Sequence, residues 1–384
     1  MLNRSTDPRL RQIDLARSSL LHDGRGAAGL GAASGLAGSW IERSWLRCLA
    51  RGQRPEQPVG FELVPAQAAR RSREANRTLV QTARPVLERL ARAIADTRYF
   101  AILTDAGGVV IDANGPVDRS DRRAALITRI GADLSERSVG TTAIGAALTE
   151  LQPVWLHRGE HFFHDTSVYS CAGAPLFGPD GACVGMLDLT GIEVPERTEL
   201  KHLVAQAARS IENALTLGRP HRLLLRLNWP GRRLGDEGDG LVCLDAEGWV
   251  TGSNPAARQM VPQLAGSATG ALHASELFAL PFEALFDCAQ RGPGGDPAPL
   301  EVPLWSGLRV HLLGVRCGRG GTGRAGSGAR AMPVPVPGPV PLPLKDMEIA
   351  LIRKAVDQAR GNVQQAARAL GISRATVYRK LGRR

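Results

Sequence analysis

The apolar positions of the middle third change period along the chain. Val86, Leu87, Leu90 and Ile94 recur at three- and four-residue steps, which predicts a helix from about residue 85 to 97. Residues 99–104 and 109–112 are β-rich runs separated by Asp-Ala-Gly-Gly at 105–108, a hairpin signal. A short strand is expected at 154–157. Two longer ones, 169–177 and 183–189, flank the turn Gly-Pro-Asp-Gly at 178–181. Leu200, Leu203, Val204, Ala207, Ala208, Ile211 and Leu215 then form a helical stripe. Helix, strands and helix in this order predict an antiparallel sheet with helices on one side, an α+β layer spanning residues 85–217.

On either side the pattern changes, so a multidomain α+β chain is expected. Residues 1–84 read as a helical leader. In 222–313, a hairpin is centred on Ala246-Glu-Gly248, a helix begins after Asn254, and 300–313 supplies later strands. Residues 314–343 have no apolar period. A glycine–arginine stretch is followed by alternating proline from Pro333 to Pro343, which predicts a flexible coil and then an extended spacer of about 34 Å. Residues 344–384 return to helical period. Gly361 suits a helix C-cap, and Asn362 caps the next helix with Gln365 three residues on. Ala367 is small enough for close helix approach, Gly371 makes the turn, and Ser373 caps a last helix that buries Val377 and Leu381. This is the order of a helix-turn-helix.

Charge strengthens that assignment. Lys and Arg number 48 against 37 Asp and Glu, a net charge of +11. Residues 1–98 carry 17 basic and 9 acidic side chains, 99–217 carry 9 and 15, and 345–384 carry 10 and 3. An acidic middle therefore lies between basic ends, and the basic C-terminal end is the footprint of nucleic-acid binding. Only Lys201, Lys345, Lys354 and Lys380 are lysines, and glycine precedes none of them. A Gly-Lys-Ser/Thr phosphate loop is absent, which excludes a P-loop ATPase of that type. The six cysteines are scattered with no C-x-x-C, as in a reduced cytosolic protein. No apolar run reaches the roughly 18–20 residues of a membrane helix. Residues 1–25 lack the apolar core of a signal peptide, so a cytoplasmic protein is expected.

The run Asn362-V-Q-Q-A-A-R-A-L-G-I-S-R-A-T-V-Y-R-K-L381 resembles the Fis-type DNA-binding domain at the C-terminus of sigma-54-dependent activators. Arg374 and Arg379 are placed for guanine contacts. Ser373, Thr376, Tyr378 and Lys380 are placed for phosphates. Ala375 stands where that family often has asparagine. The resemblance implies pairing into a homodimer on double-stranded DNA. Ser138-V-G-T-T-A-I-G145, His157-R-G-E-H-F162, Ser170-C-A-G-A-P-L176 and Gly185-M-L-D-L189 resemble the GAF sensor domain of the acetoin-catabolism-regulator (AcoR-like) group of the same activators. That resemblance implies a small-molecule effector pocket with Thr141, Thr142, His157, His161, Phe162 and Cys171 as candidates. Thr142 and Ala143 replace the asparagine and glycine which that group favours. Residues 240–258 resemble the first half of a PAS domain. The ATPase domain of such activators is expected to be missing, its place taken by the proline-rich linker. The chain would then repress, recruit RNA polymerase, or partner a full-length activator.

His157, His161 and His164, with Glu160 and Asp165, also allow a metal reading, because histidines four apart on a helix can share a metal. No third ligand is fixed by spacing, so polar pocket residues without metal or cofactor are the expectation. Cys171 allows a redox thiol but lies in an apolar strand. No catalytic constellation is visible, so an enzyme is not expected. The alternative to a DNA-binding regulator is a metal, redox or small-molecule signalling sensor that acts through a protein partner.

Overall fold

A computed structural model describes residues 8–18, 39–266, 270–289 and 299–316, together with 363, 364 and 367 near the C-terminus. The chain divides into two units, Met1–Gly321 and Thr322–Arg384. The helix-turn-helix expected at 344–384 lies outside the described residues, except that Val363, Gln364 and Ala367 are helical and Ala367 is buried.

Among the described residues, four α-helices precede the first sheet: α1 (Pro8–Arg17), α2 (Trp40–Ala50), α3 (Ala66–Ala75) and α4 (Arg77–Ala93). Ser39 caps α2, its hydroxyl accepting from the Glu42 amide at 3.3 Å. Helix α2 buries Ile41, Trp45 and Cys48. Helix α4 begins before residue 85, so the boundary expected between 84 and 85 falls inside a helix. Leu79 and Ala83 continue the stripe of Val86, Leu87 and Leu90. Pro85 is exposed within it, and the hydrogen bond that proline removes is on the solvent side.

The first sheet contains β1 (Tyr99–Asp105), β2 (Val110–Asn114), β3 (Val154–His157), β4 (Tyr169–Phe177) and β5 (Cys183–Ile192). All neighbours are antiparallel, in the order β2-β1-β5-β4-β3. Helices α5 (Arg122–Ile127), α6 (Glu136–Val139) and α7 (Ala143–Glu150) lie between β2 and β3, and α8 (Leu200–Leu217) follows β5. Side chains alternate across the sheet. Tyr99, Ala101, Leu103, Ala172, Ala174, Leu176, Leu187 and Leu189 pack against α4 and α8. Phe100, Ile102, Tyr169, Cys171 and Met186 face the opposite layer, which includes Ile127, Val139, Ala143 and Ile144. The layer thus has helices on both faces, not on the one side expected, because the segment between β2 and β3 supplies α5–α7 to the second face.

The second sheet contains β6 (Leu223–Asn228), β7 (Gly240–Leu244), β8 (Val250–Ser253), β9 (Leu300–Pro303) and β10 (Arg309–Arg316). Its order is β8-β7-β6-β10-β9, again antiparallel. Short helices α9 (Pro255–Met260), α10 (Ala274–Leu277) and α11 (Phe282–Cys288) pack on it. Asn254 caps α9 by accepting from the Ala257 amide at 2.8 Å. Strand β6 carries no alternating pattern because both its faces are buried: Leu223, Leu225 and Leu227 on one side, Leu224 on the other. Among the described residues, no helix is long and apolar enough to cross a membrane.

The two sheets are joined by polar contacts around the β4–β5 turn. Ser253 donates its amide to Pro179 O at 2.9 Å, and Arg258 donates to Gly178 O at 3.1 Å. Glu212 on α8 accepts from the Phe177 amide at 2.9 Å. Within the first sheet, Gly185 lets β5 approach β1. A Cβ there would lie 2.2 Å from the Thr104 carbonyl oxygen. Gly185→Ala should therefore destabilise the protein by roughly 1–3 kcal/mol, the usual cost of overpacking. The check is a thermal melt, and an unchanged midpoint would contradict this packing.

Candidate functional site

A cavity lies on the face of the first sheet turned away from α4 and α8. Its floor is built by Ile102 on β1, Tyr169 and Cys171 on β4, and Asp188 and Thr190 on β5. Thr142, Ala143 and Ile144 at the start of α7 form its roof. Ile127, Leu134, Val139, Phe61, Thr166 and His161 complete the lining. The space it leaves for the centre of a water-sized molecule is about 30 Å³, room for roughly two or three waters.

The sequence explains how the roof is set. Gly140 takes φ +66°, and a Cβ there would stand 2.8 Å from the Phe163 ring. Thr142 then caps α7, its hydroxyl accepting from the Gly145 amide at 3.2 Å. A Cβ on Gly145 would meet Glu136 at 2.8 Å, so glycine lets α7 rest on α6. Thr142 thus performs the capping that asparagine could perform at this position.

Two polar side chains in the lining have an atom with no hydrogen-bond partner among the described residues. Asp188 is fully buried. Its Oδ2 accepts from the Thr190 hydroxyl, while Oδ1 has no partner. Directly across from it are Ile102 on β1 and Gly173 on β4, which offer no polar side chain. Burial pushes its carboxyl up to about 7, against the opposing Thr190 hydrogen bond. His161 is also fully buried. Its Nδ1 lies 2.9 Å from the Arg158 carbonyl oxygen, and Nε2 has no partner. A nitrogen against a carbonyl must carry the proton, so Nε2 presents a lone pair. Burial pushes the ring down to about 4, and it is neutral at pH 7. Cys171 Sγ lies 3.3 Å from Thr190 Oγ1. Burial raises its pKa well above the usual thiol value, which keeps it a thiol rather than a reactive thiolate.

Of the residues singled out from sequence, Thr142, His161 and Cys171 line the cavity. Thr141 faces the leader, with its hydroxyl 2.7 Å from Ser44 Oγ. Phe162 packs with Ala16, Ile41, Trp45 and Cys48. His157 has Nδ1 2.8 Å from Ser170 Oγ, and its ring stacks on Trp155. Leu156, its neighbour on β3, belongs to the cavity-side layer, so strand alternation puts His157 on the other face. His164 is exposed. Among the described residues, no three or more His, Cys, Asp or Glu side chains converge as a metal site. Sequence reading passed over Asp188 and Thr190. Their signal was a carboxylate between Leu187 and Leu189, which alternation places opposite those leucines. The DNA-contact candidates Ser373, Arg374, Ala375, Thr376, Tyr378, Arg379 and Lys380 lie outside the described residues.

The leader grips both segments that shape the cavity. Arg17 donates to the carbonyl oxygens of Gly159, His161 and Phe162, at 2.8 Å to Gly159 and 2.9 Å to Phe162. Trp45 Nε1 donates to Glu160 O at 2.9 Å, and Arg9 pairs with the Glu160 carboxylate. Under the roof, Glu136 accepts from Arg47 at 2.7 and 2.8 Å, Arg51 at 2.9 Å and Ser44 at 2.7 Å. Burial pushes the Glu136 carboxyl up, but these partners outweigh it and hold it below its usual value.

Residues 343–383 match the model of the bacterial regulatory protein, Fis family, and residues 33–213 match that of the MimR N-terminal domain. The chain is 33% identical over 257 residues to the acetoin catabolism regulatory protein of Cupriavidus necator, covering 64% of this chain and 37% of that protein. It is 26% identical over 216 residues to the acetoin dehydrogenase operon transcriptional activator AcoR of Bacillus subtilis, covering 56% and 36%. A chain of the E. coli DhaR(N)–DhaL complex is similar over 73% of this chain and 99% of its own, at 15% identity and TM-score 0.44. The chain thus carries a Fis-family segment and is homologous to transcriptional regulators, but spans little more than a third of these curated relatives.

The site predicts opposite pH effects. Asp188 holds its proton more tightly folded than unfolded, so its contribution to stability declines as pH rises from about 4 to about 7. His161 behaves oppositely: its contribution is full above 6.5 and lost as pH falls toward 4. Asp188→Asn removes only the first effect. Its melting temperature relative to wild type should climb from pH 4.5 to 7 and then level off; parallel curves would refute the assignment. Glu136→Gln should lower stability by about 1–3 kcal/mol in a thermal melt at pH 7. The loss is moderated because Arg47 and Arg51 are partly exposed and can rehydrate.

Proposed function

We propose that this chain is a DNA-binding transcriptional regulator whose first sheet domain is a GAF-type sensor for a small effector. The observation that carries the reading is the combination of a Fis-family match at 343–383 with a small buried cavity in the segment that matches the MimR N-terminal domain. The effector occupies the cavity through Thr142, His161 and Cys171. DNA is read by Arg374 and Arg379, with Ser373, Thr376, Tyr378 and Lys380 on phosphates and Ala375 on the same outward face. The regulator works as a cytoplasmic homodimer, and the second sheet serves as a PAS-like spacer between sensor and DNA reader. Four lysines without a preceding glycine support regulation without ATP hydrolysis by this chain. It would then act through RNA polymerase or through a full-length activator.

An effector regulates only if it binds two states of the protein with different affinity. The contacts of Arg17 with the His161 loop and of Glu212 with the β4–β5 turn give cavity occupancy two routes outward, to the leader and to α8. The test is an electrophoretic mobility shift on the promoter beside the chain's own gene. Arg374→Ala and Arg379→Ala should each weaken specific binding by about 10- to 100-fold, the value of one bidentate base contact. Lys380→Ala should instead weaken all sequences alike and reduce the salt slope by about one. Undiminished binding by all three variants would refute the DNA-reading assignment.

A further inference from the structure

We propose that the outer face of α3 and α4 is a second DNA-contacting surface, which holds the phosphate backbone of a duplex through arginine and reads no base sequence. The choice of DNA as the polyanion rests on the DNA-binding reading above. The test uses DNA of unrelated sequence, so that the two assignments can fail separately.

Helix α3 carries Arg70, Arg71 and Arg73 against Glu74, and α4 carries Arg77, Arg84, Arg89 and Arg92 against Glu88. Residues 66–93 thus hold 7 basic and 2 acidic side chains, a net charge of +5. Residues 99–217, the rest of the first domain, hold 9 basic and 15 acidic side chains. The positive charge of this domain is therefore gathered on one pair of helices, which orients its field toward a polyanion. All seven arginines are exposed. Helix α3 buries none of its side chains. It is nonetheless fixed, because Ser72 donates to the Asp105 carboxylate on β1, and Asn76 at the joint with α4 donates to Ser72 O at 2.8 Å.

The arginines of the preceding helices behave differently. Arg9 pairs with Glu160, Arg43 with Glu150, and Arg47 and Arg51 with Glu136. Arg17 is occupied by backbone carbonyls. Among the described residues, none of the seven on α3 and α4 forms an ion pair. Where this leader uses arginine to hold itself together, the arginine is engaged; on α3 and α4 it is left facing water. Such a guanidinium offers a planar fork of donors that matches phosphate oxygens two at a time.

Spacing and polarity define the ligand. At about 100° per residue, Arg77, Arg84 and Arg92 fall within about 80° of one another around α4, on the side away from Leu79, Ala83, Val86, Leu87 and Leu90. From Arg77 to Arg92 the helix rises about 22 Å, the length of roughly six base pairs. Glu88 lies among them and leaves three positive charges against one negative. No large hydrophobic side chain is exposed between residues 66 and 93. A protein partner would need an apolar centre with anchoring side chains, which this face lacks. A duplex backbone needs a polar, strongly positive face, which it has.

The test is fluorescence anisotropy of the full chain on a duplex of unrelated sequence. A variant with Arg77→Gln, Arg84→Gln and Arg92→Gln should fold, because glutamine is a good helix former and all three positions are exposed; a thermal melt checks this. Each phosphate contact contributes about 0.9 to the slope of log affinity against log salt, so the variant should lose roughly 2–3 from that slope. Between 50 and 200 mM salt the wild type should then lose about 40-fold more affinity than the variant. A comparison variant with Arg222→Gln, Arg232→Gln and Arg233→Gln removes the same charge from exposed positions elsewhere, and should change the slope by less than about one. The difference should persist in a chain that also carries Arg374→Ala and Arg379→Ala. Equal slopes for the wild type and the α4 variant, or an equal loss from the comparison variant, would overturn the proposal and leave the C-terminal reader to its own mobility-shift test. Undiminished DNA binding by the α4 variant together with lost binding to phosphatidylglycerol vesicles would overturn it in favour of a membrane surface.

Discussion

The buried carboxylate of Glu136 ties the first domain together. Taking a carboxylate out of water costs several kcal/mol unless partners replace the lost hydration. Here Ser44, Arg47 and Arg51 supply them, all three within or at the end of α2. One charge thus fastens the leader to α6. Gly145 then lets α7 rest on that same residue, and α7 is the roof of the cavity. The leader therefore belongs structurally to the first domain, and the position of the cavity roof depends on an ion pair outside the cavity.

A second constraint is the parity of the sheet. Adjacent residues on a strand face opposite layers, so each strand contributes to two different environments. On β5, Leu187 and Leu189 bury against α4 and α8, while Asp188 and Thr190 enter the cavity. On β3 and in the loop after it, the same logic separates two histidines four residues apart. His157 goes to one face with Ser170 and Trp155, and His161 goes to the other with Asp188. Histidines so divided by a sheet do not meet at one metal ion.

The segments that build the cavity also contact the leader and the second sheet domain. The loop carrying His161 is held by Arg17 and Trp45 from the leader. The far end of β4 and the turn to β5 are held by Glu212 on α8 and by Ser253 and Arg258 of the second sheet domain. β4 and β5 thus form both the cavity floor and the turn held by the second sheet. The buried Glu212 carboxyl, pushed up to about 7 by burial, lies at that junction.

By itself the sequence determined what depends on near neighbours along the chain. Hydrophobic period, glycine turns and capping residues marked the hairpins at 105–108 and 178–181, the helix at 200–217 and the cap at Asn254. Thr142, His161 and Cys171 came instead from the resemblance of the motifs around them to the GAF sensor domain, which also implied Thr141, His157 and Phe162, residues that do not line the cavity. Strand β6 was illegible because burial on both faces erases alternation, and α4 was shortened because Pro85 looks like a helix boundary when its exposure is unknown. Tertiary structure alone decided which face of the sheet faces which layer, and therefore which residues share the cavity. Asp188 keeps an unpaired oxygen because Ile102 and Gly173, brought alongside from other strands, offer it no polar side chain. That is a property of long-range packing: desolvation and an unpaired hydrogen-bonding atom arise from what surrounds a side chain in space, and spacing along the chain does not encode it.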